Sequence, residues 1–562
     1  MFDVLKVLRI PGMHQMKALY IDQVAGNPES PHTKNGQTIK GAGVFEWNLL
    51  SALLEHGTYD AYFAPGLTEE KRQALAQEGL SADSVRRLVP VPLWGPPPIK
   101  TEDKVVLLTA GRFLNALAGI RQKLKQFNAP VCGFVHSINS PRIAFALLQQ
   151  CFAGLSGADL LLCSSRAGMK TIDTYINEIN GFLPLELHYP ARRALVPLGV
   201  KLPSTKQTTG GTLRQKFSLE TDACIALYFG RLSQTSKCDL GPLLVAFSQL
   251  LRKGKSLYLI IAGDDTQAKE APRLQALARE LDCNESLMVW ANPSAEDKHL
   301  LYSEADFFVS PSDNIQETFG LTVAEAMAYG LPAVVSDWNG YRDLVKDGQN
   351  GFLIPTAFPS TVESLRLCDC TMSMLEEDLL AQSTTVDVLA LSERMEQLAE
   401  NPELRAHMGK TARQFVEDTC SWRAVVRRYE EIWEESLHFA SSPASRPRKS
   451  GQLFDISLEK CFGHYATVKR GAEQRCFITR EGREWLKQPG RLYFLCRLST
   501  ALNPQEFTHI LRHIADCPGF SIKEIVASLS NGAALTAANA HWILARLFKY
   551  GLVTDQQDSP KT

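Results

Sequence analysis

The sequence predicts an α/β protein of two parallel-sheet domains followed by a smaller, α-rich C-terminal domain. Three observations predict it. Short apolar runs alternate with helical patterns through residues 1–440. Several of those runs end on glycine and then polar residues, which suits ligand binding at the carboxyl ends of a parallel sheet. A Ser/Pro-rich, basic stretch at 441–451 then breaks the pattern as a linker does. The 562 residues are too many for one domain; about three or four are expected.

In chain order, residues 105–108 are a strand candidate, 131–136 a second that ends on His136, and 159–165 a third. Residues 194–200 close a first domain over 1–203, and 204–212 form a polar, glycine-bearing connection. The second domain, 204–440, opens with apolar runs at 223–231 and 256–264, followed by a buried strand at 305–310. Residues 359–385 look like an insertion, after which helical periodicity resumes at Val388 and again at 422–433. The linker is set at 441–452 and the accessory domain at 453–562, with amphipathic helices within 520–529 and 539–553.

Hydrophobic residues make up 45% of the chain and charged residues 22%, as in an ordinary globular protein. A net charge of −1 gives no general pull toward nucleic acid or anionic lipid. No apolar segment approaches the ~20 residues that span a bilayer, and Pro11 with polar neighbours after a short N-terminal run speaks against a secretory signal. Thirteen cysteines are scattered without C-x-x-C pairs, and Cys132, Cys163 and Cys224 lie in apolar runs as small reduced core residues. Cys368 and Cys370 are the close pair, without the histidines a metal site would add. The expected compartment is the cytoplasm.

Residues 311–332 carry the most information. Glu317 and Glu325 stand with seven residues between them, across a strand-to-helix turn. Thr322 is a good N-cap, Glu325 completes a capping box, and Gly330 and Pro332 close the helix. The helix tip is an anion site, and Glu317 just outside it can accept hydrogen bonds from a polyol. Phosphate at the tip and hydroxyls at the carboxylates describe a nucleotide sugar. Arg231 and Lys237 follow an earlier strand end, where an Arg fork and a Lys point charge suit a diphosphate. Near the N-terminus, Gly41-Ala42-Gly43 let backbone N–H groups approach a phosphate before a helix.

This E-x7-E pattern around Phe319-Gly320-Leu321, together with residues 333–345 and 348–355, resembles the retaining GT-B glycosyltransferases known as glycosyl transferases group 1, related to sucrose and glycogen synthases. The resemblance covers residues 1–440 and is most specific at 225–355. It implies two Rossmann-like domains facing a central cleft, the first for the acceptor and the second for the donor, with 422–433 inside a helix that crosses back to the first. It implies a metal-independent hexosyl transfer in which the departing phosphate takes the acceptor's proton. His136 would contact the donor sugar, Arg231 and Lys237 the diphosphate, Glu317 the sugar hydroxyls and Glu325 the ribose hydroxyls. Gly41, Ala42, Gly43 and Gly230 would line the donor site, and the amides of Phe319, Gly320 and Leu321 would cradle the distal phosphate. Two departures stand out: Lys237 sits one residue further on than in the family, and Cys238 replaces a glycine.

No cofactor is expected; the donor is a nucleotide-diphosphate sugar, UDP-linked first among candidates, and the acceptor is a glycan, small molecule or peptide. The chain has no D-x-D triplet to hold a cation beside the diphosphate. A nucleotide-sugar epimerase is the rival enzyme. A degenerate transferase body whose C-terminal domain docks a protein or DNA is the rival outside catalysis. That domain, reminiscent of a winged helix, offers Arg546 and Lys549 among apolar residues and no dense basic stripe. Protein or peptide docking, or self-association as a homodimer, therefore ranks above nucleic-acid binding.

Overall fold

The computed structural model describes residues 16–22, 41–65, 67, 69–77, 79–91, 99–100, 102–111, 114–124, 129–135, 138–139, 142–183, 188–203, 213–220, 222–359, 375–441, 461–488, 504–530 and 537–556. It divides into two compact units, Met1–Lys201 with Glu417–Ile456, and Leu202–Val416 with Ser457–Thr562.

The first unit is built on seven parallel strands, β1 (Lys17–Ile21), β2 (Ala61–Pro65), β3 (Leu88–Val91), β4 (Lys104–Thr109), β5 (Val131–Val135), β6 (Leu160–Cys163) and β7 (Arg192–Leu195), in the order β3-β2-β1-β4-β5-β6-β7. All residues of β5 and β6 are buried. Both faces of a parallel sheet are covered, so its central strands read as unbroken apolar runs. The strand expected at 194–200 begins two residues earlier and stops at Leu195. Pro197 has no N–H for the ladder, and Val200 instead bridges to Ser421.

Ser421 caps the helix Trp422–Ala440, accepting a hydrogen bond from the Ala424 amide. Tyr429 and Trp433 of that helix stack at 5.7 Å and lie in the first unit's core, with Phe134 edge-on to Tyr429 at 5.4 Å. The chain thus returns to its first unit after leaving the second.

The second unit carries six parallel strands, β8 (Ile225–Phe229), β9 (Tyr258–Gly263), β10 (Leu287–Ala291), β11 (Phe307–Ser310), β12 (Ala333–Ser336) and β13 (Gly351–Ile354), in the order β10-β9-β8-β11-β12-β13. This is a doubly wound sheet whose order reverses between β8 and β11. Ligands bind at such a reversal, in the crevice beyond the carboxyl ends.

The C-terminal residues are built into this second unit. β14 (Thr356–Pro359) pairs antiparallel with β15 (Thr385–Val386) and parallel with β16 (Val468–Arg470), so a tail strand completes a small sheet begun before residue 360. Helices Arg480–Lys487, Pro504–Asp516, Ile522–Ser530 and Ala537–Lys549 follow. Ile510, Ile525, Ile543 and Leu547 are among their buried side chains. Gly551, at φ +65°, turns the chain into β18 (Val553–Thr554), which pairs antiparallel with β17 (Phe477–Ile478). Arg546 and Lys549, weighed above as part of a basic face, are both fully buried and belong to no surface.

The connection at 204–212, the Cys368–Cys370 pair and the linker at 442–452 lie outside the described residues. Of the insertion, residues 375–385 are described; they form the helix Leu375–Ser383 and the first residue of β15. Cys132, Cys163 and Cys224 are buried and unbridged, and burial pushes each thiol up to about 12. Among the described residues no helix is long and apolar enough to cross a membrane.

Candidate active site

Two loops meet at the reversal of the second sheet. One follows β8 and carries Gly230, Arg231 and Lys237; the other follows β11 and carries Glu317. The strand ends that launch them are held at fixed height. Gly230 donates to the Ala262 carbonyl at 3.0 Å, and Leu232 to the Asp264 carbonyl at 2.8 Å. Gly263 sits at φ +153°, and a Cβ there would run into the Gly230 carbonyl, so two backbones approach where only glycine fits.

The loops are laced together. Asn314 Nδ2 donates to the Thr235 carbonyl at 2.7 Å, Ser312 Oγ to the Lys237 carbonyl at 3.3 Å, and Cys238 Sγ to the Pro311 carbonyl at 3.1 Å. Cys238, where the family has a glycine, is therefore part of the lacing. A third loop, after β12, joins them: Trp338 Nε1 donates to the Asn314 carbonyl at 2.9 Å, and Ser336 Oγ to the Ser312 carbonyl at 2.6 Å.

Lys237 Nζ donates to Glu317 Oε2 at 2.6 Å. The other oxygen, Oε1, accepts from the amides of Gly320 at 2.9 Å and Phe319 at 3.4 Å. Burial works to raise the Glu317 carboxyl, but the Lys237 ammonium and these two amides outweigh it and hold the group below its usual value of 4.5. The folded chain therefore releases this proton more readily than the unfolded chain. Its stabilisation is complete above the ordinary glutamate pKa and is lost as pH falls through the lower folded value. In urea unfolding, the gap between wild type and Glu317→Gln is expected to shrink on acidification from neutral pH; a gap that does not change with pH would contradict the pairing.

The helix after this loop runs Leu321–Ala328, and its N-cap is Gly320 at φ +103°, not Thr322. The capping box with Glu325 does not form. Glycine fits this left-handed cap because a side chain is strained at φ +103° and a Cβ there would lie 2.5 Å from the Tyr341 ring. The phosphate cradle expected from Phe319, Gly320 and Leu321 is changed in consequence. Phe319 and Gly320 have committed their N–H groups to Glu317, and the amides left by the start of the helix are those of Leu321, Thr322 and Val323.

Glu325 faces the helix Ala295–Glu304. Lys298 Nζ donates to its Oε1 at 2.8 Å and Tyr302 Oη to its Oε2 at 3.3 Å. The Lys298 ammonium also lies 5.4 Å from the Phe229 ring at the end of β8. Lys298 and Tyr302 were not found from the sequence. The available signal was their i, i+4 spacing on one face of a helix opened by a capping box at Ser294.

Arg231 is half-buried and donates from Nη1 to Ser236 Oγ at 3.1 Å. Lys237 and Glu317 are thus in direct contact, Arg231 stands on the loop that carries Lys237, and Glu325 lies in the helix that follows the loop of Glu317, Phe319 and Gly320. Gly41, Ala42 and Gly43 belong to the first unit, where they form the first turn of the helix Gly41–His56 rather than a loop before it. His136 lies outside the described residues, one position past β5. No group of three metal-ligating side chains occurs among the described residues.

Residues 211–364 match the family described as "Glycosyl transferases group 1". The chain is 26% identical over 242 residues to a lipopolysaccharide 1,2-N-acetylglucosaminetransferase of Salmonella typhimurium, covering 42% of this chain and 55% of that protein. It is 29% identical over 170 residues to a D-inositol 3-phosphate glycosyltransferase of Acidothermus cellulolyticus, covering 29% and 37%. The match thus spans about half or less of these curated relatives' own length.

Among solved structures, a glycosyltransferase from Rickettsia africae superposes with a TM-score of 0.50 at 13% identity, over 76% of this chain and 99% of that one. HepE of Anabaena in complex with UDP superposes with a TM-score of 0.50 at 16% identity, over 75% and 100%. The two α/β units have the GT-B fold. The stretch that matches the glycosyl transferases group 1 family, residues 211–364, falls in the second of these units.

Proposed function

We propose that the chain transfers a sugar, with retention at the anomeric carbon, from a nucleotide-diphosphate sugar to a glycan, small-molecule or peptide acceptor. The observation that supports this is the contact of Lys237 with Glu317 across two laced loops at the sheet reversal, with Arg231 on the first loop and the start of the helix Leu321–Ala328 after the second. UDP is the first nucleotide to test, since it is the ligand in the HepE structure of the same fold.

Arg231 and Lys237 take the diphosphate, where negative charge grows as the leaving group departs. The Lys237 ammonium has three donors, so it can keep one bond to Glu317 while binding a phosphate oxygen. Glu317, fixed by the two amides, accepts from sugar hydroxyls; Glu325, after exchanging Lys298 or Tyr302, accepts from the ribose. The remaining helix amides, from Leu321 onward, receive the distal phosphate. His136 keeps the sugar contact that the family resemblance implies. The bond from the anomeric carbon to phosphate oxygen breaks, the acceptor oxygen bonds to the same face, and the acceptor's proton passes to the departing phosphate. No metal is required, and turnover undiminished in EDTA is the expected result.

Isothermal titration with UDP, GDP and ADP tests the site. Micromolar binding of one nucleotide, lost in Arg231→Ala and Glu325→Ala, is expected. Binding of none of the three, or binding that survives both substitutions, would overturn it.

A further inference from the structure

We propose that Lys549, from the last helix of the C-terminal module, is a positioning residue of the donor site, whose ammonium clamps the loops bearing Lys237 and Glu317 in register. Its side chain is fully buried, as are those of Asp239 and Asp313 around it. Lys549 Nζ donates to Asp313 Oδ2, lies 3.6 Å from Asp239 Oδ2, and donates to the Ala381 carbonyl at 2.9 Å. Tyr550 Oη, the next residue, donates to Asp239 Oδ2 at 2.9 Å. The two carboxylates belong to the two site loops: Asp239 stands two residues after Lys237, and Asp313 four before Glu317. They are also joined directly, the Asp239 amide donating to Asp313 Oδ1 at 3.3 Å.

The charge count makes the clamp specific. Two buried carboxylates face one ammonium, with the Arg546 guanidinium on the same helix bound to Gln382 Oε1 at 3.0 Å. Burial and the Asp239 charge push the Asp313 carboxyl up to about 6 against the pull of Lys549, while Asp239 is held low by Lys549 and the Gly241 amide despite its burial. Without Lys549, Asp313 loses the ammonium bonded to it and the two buried carboxylates keep only the Arg546 charge, which acts on Asp239, an unfavourable state. Relief comes from parting the loops that hold them. Lys237 would then move away from Glu317.

The module grips the third site loop as well. Thr467 Oγ1 donates to Asp337 Oδ2 at 2.7 Å, and Arg342, bonded to Asp337, donates to the His464 carbonyl at 2.5 Å. The C-terminal residues therefore touch the loops after β8, β11 and β12, all at the carboxyl edge of the donor sheet.

This assignment rests on the donor-site reading above, so the test is split. Hydrogen exchange of the full, ligand-free chain is compared for wild type and Lys549→Met. Faster exchange confined to residues 230–240 and 311–321 is expected, and unchanged exchange in both loops would overturn the clamp whatever the protein binds. Titration with UDP is then expected to show at least tenfold weaker binding in Lys549→Met, with partial recovery in Lys549→Met/Asp313→Asn, which removes one of the opposed charges. Wild-type affinity in Lys549→Met would equally overturn the clamp, whereas failure of the wild type to bind any nucleotide overturns the donor-site reading and leaves the exchange result to judge the clamp. If Lys549→Met does not fold, Tyr550→Phe takes its place. That variant removes one hydroxyl from Asp239, and severalfold faster exchange in residues 230–240 supports the clamp, while wild-type exchange there refutes it.

Discussion

Glu317→Ala is expected to lower kcat for sugar transfer by about 100- to 1,000-fold, the loss typical of removing one fixed polar group at a site of developing charge. The effect has two sources. The carboxylate that would hold the sugar hydroxyls is gone, and Lys237 loses the partner that sets its position 2.6 Å away. The loop also loses the acceptor that ties down the amides of Phe319 and Gly320. Affinity for free nucleotide should also fall, through the displaced Lys237, but by less than turnover, since in the proposed reading Glu317 itself holds the sugar and not the base or ribose. Steady-state kinetics with the matching nucleotide sugar, beside titration with the nucleotide alone, separate the two. Turnover within threefold of wild type would remove Glu317 from the reaction.

Trp338→Ala is expected to destabilise the chain by about 3–5 kcal/mol, the usual range for truncating a buried tryptophan. Its side chain is fully buried, stacked on Phe358 with centroids 6.2 Å apart and edge-to-face with Tyr465 at 5.3 Å. Phe358 belongs to β14, and Tyr465 to the C-terminal residues just before β16. The cavity therefore opens where the tail strand joins the donor unit, and the Asn314 carbonyl loses its indole donor. Urea unfolding followed by far-UV circular dichroism measures the change; a loss below about 1 kcal/mol would mean that the neighbours collapse to fill the space.

The sheets were legible because their central strands are covered on both faces. Runs such as Val131–Val135 and 307–309 carry no polar side chain, and their shortness with polar or glycine residues after them favours a buried strand over a helix. The glutamate pair was legible for a different reason, its fixed E-x7-E spacing around Phe319-Gly320-Leu321 across a strand-to-helix turn. The start of that helix was not. Thr322 and Glu325 have the right spacing for a capping box, but capping is a local preference, and the Tyr341 ring pressed against Gly320 is a tertiary fact that decides otherwise.

Lys298 escaped notice because its partner lies 27 residues away and no motif links them. Lys549 was seen among apolar residues and set aside from a basic stripe, but its buried partners were not seen. A lysine on an amphipathic helix is nearly always solvated, and nothing near it in sequence announces the carboxylates of Asp239 and Asp313. One end of the tail's pairing was hidden too, since β16 adds to a strand more than a hundred residues earlier.

The second unit is assembled from two stretches of chain separated by a returning piece of the first. Asp313 leaves the ribosome 236 residues before Lys549, the cation that neutralises it. Through that interval the nascent donor half holds its two acids with no counter-ion. The pairing around Asp239 and Asp313 is thus completed only by the final turn of the helix Ala537–Lys549, and a message cut short before it would yield a second unit without that cation.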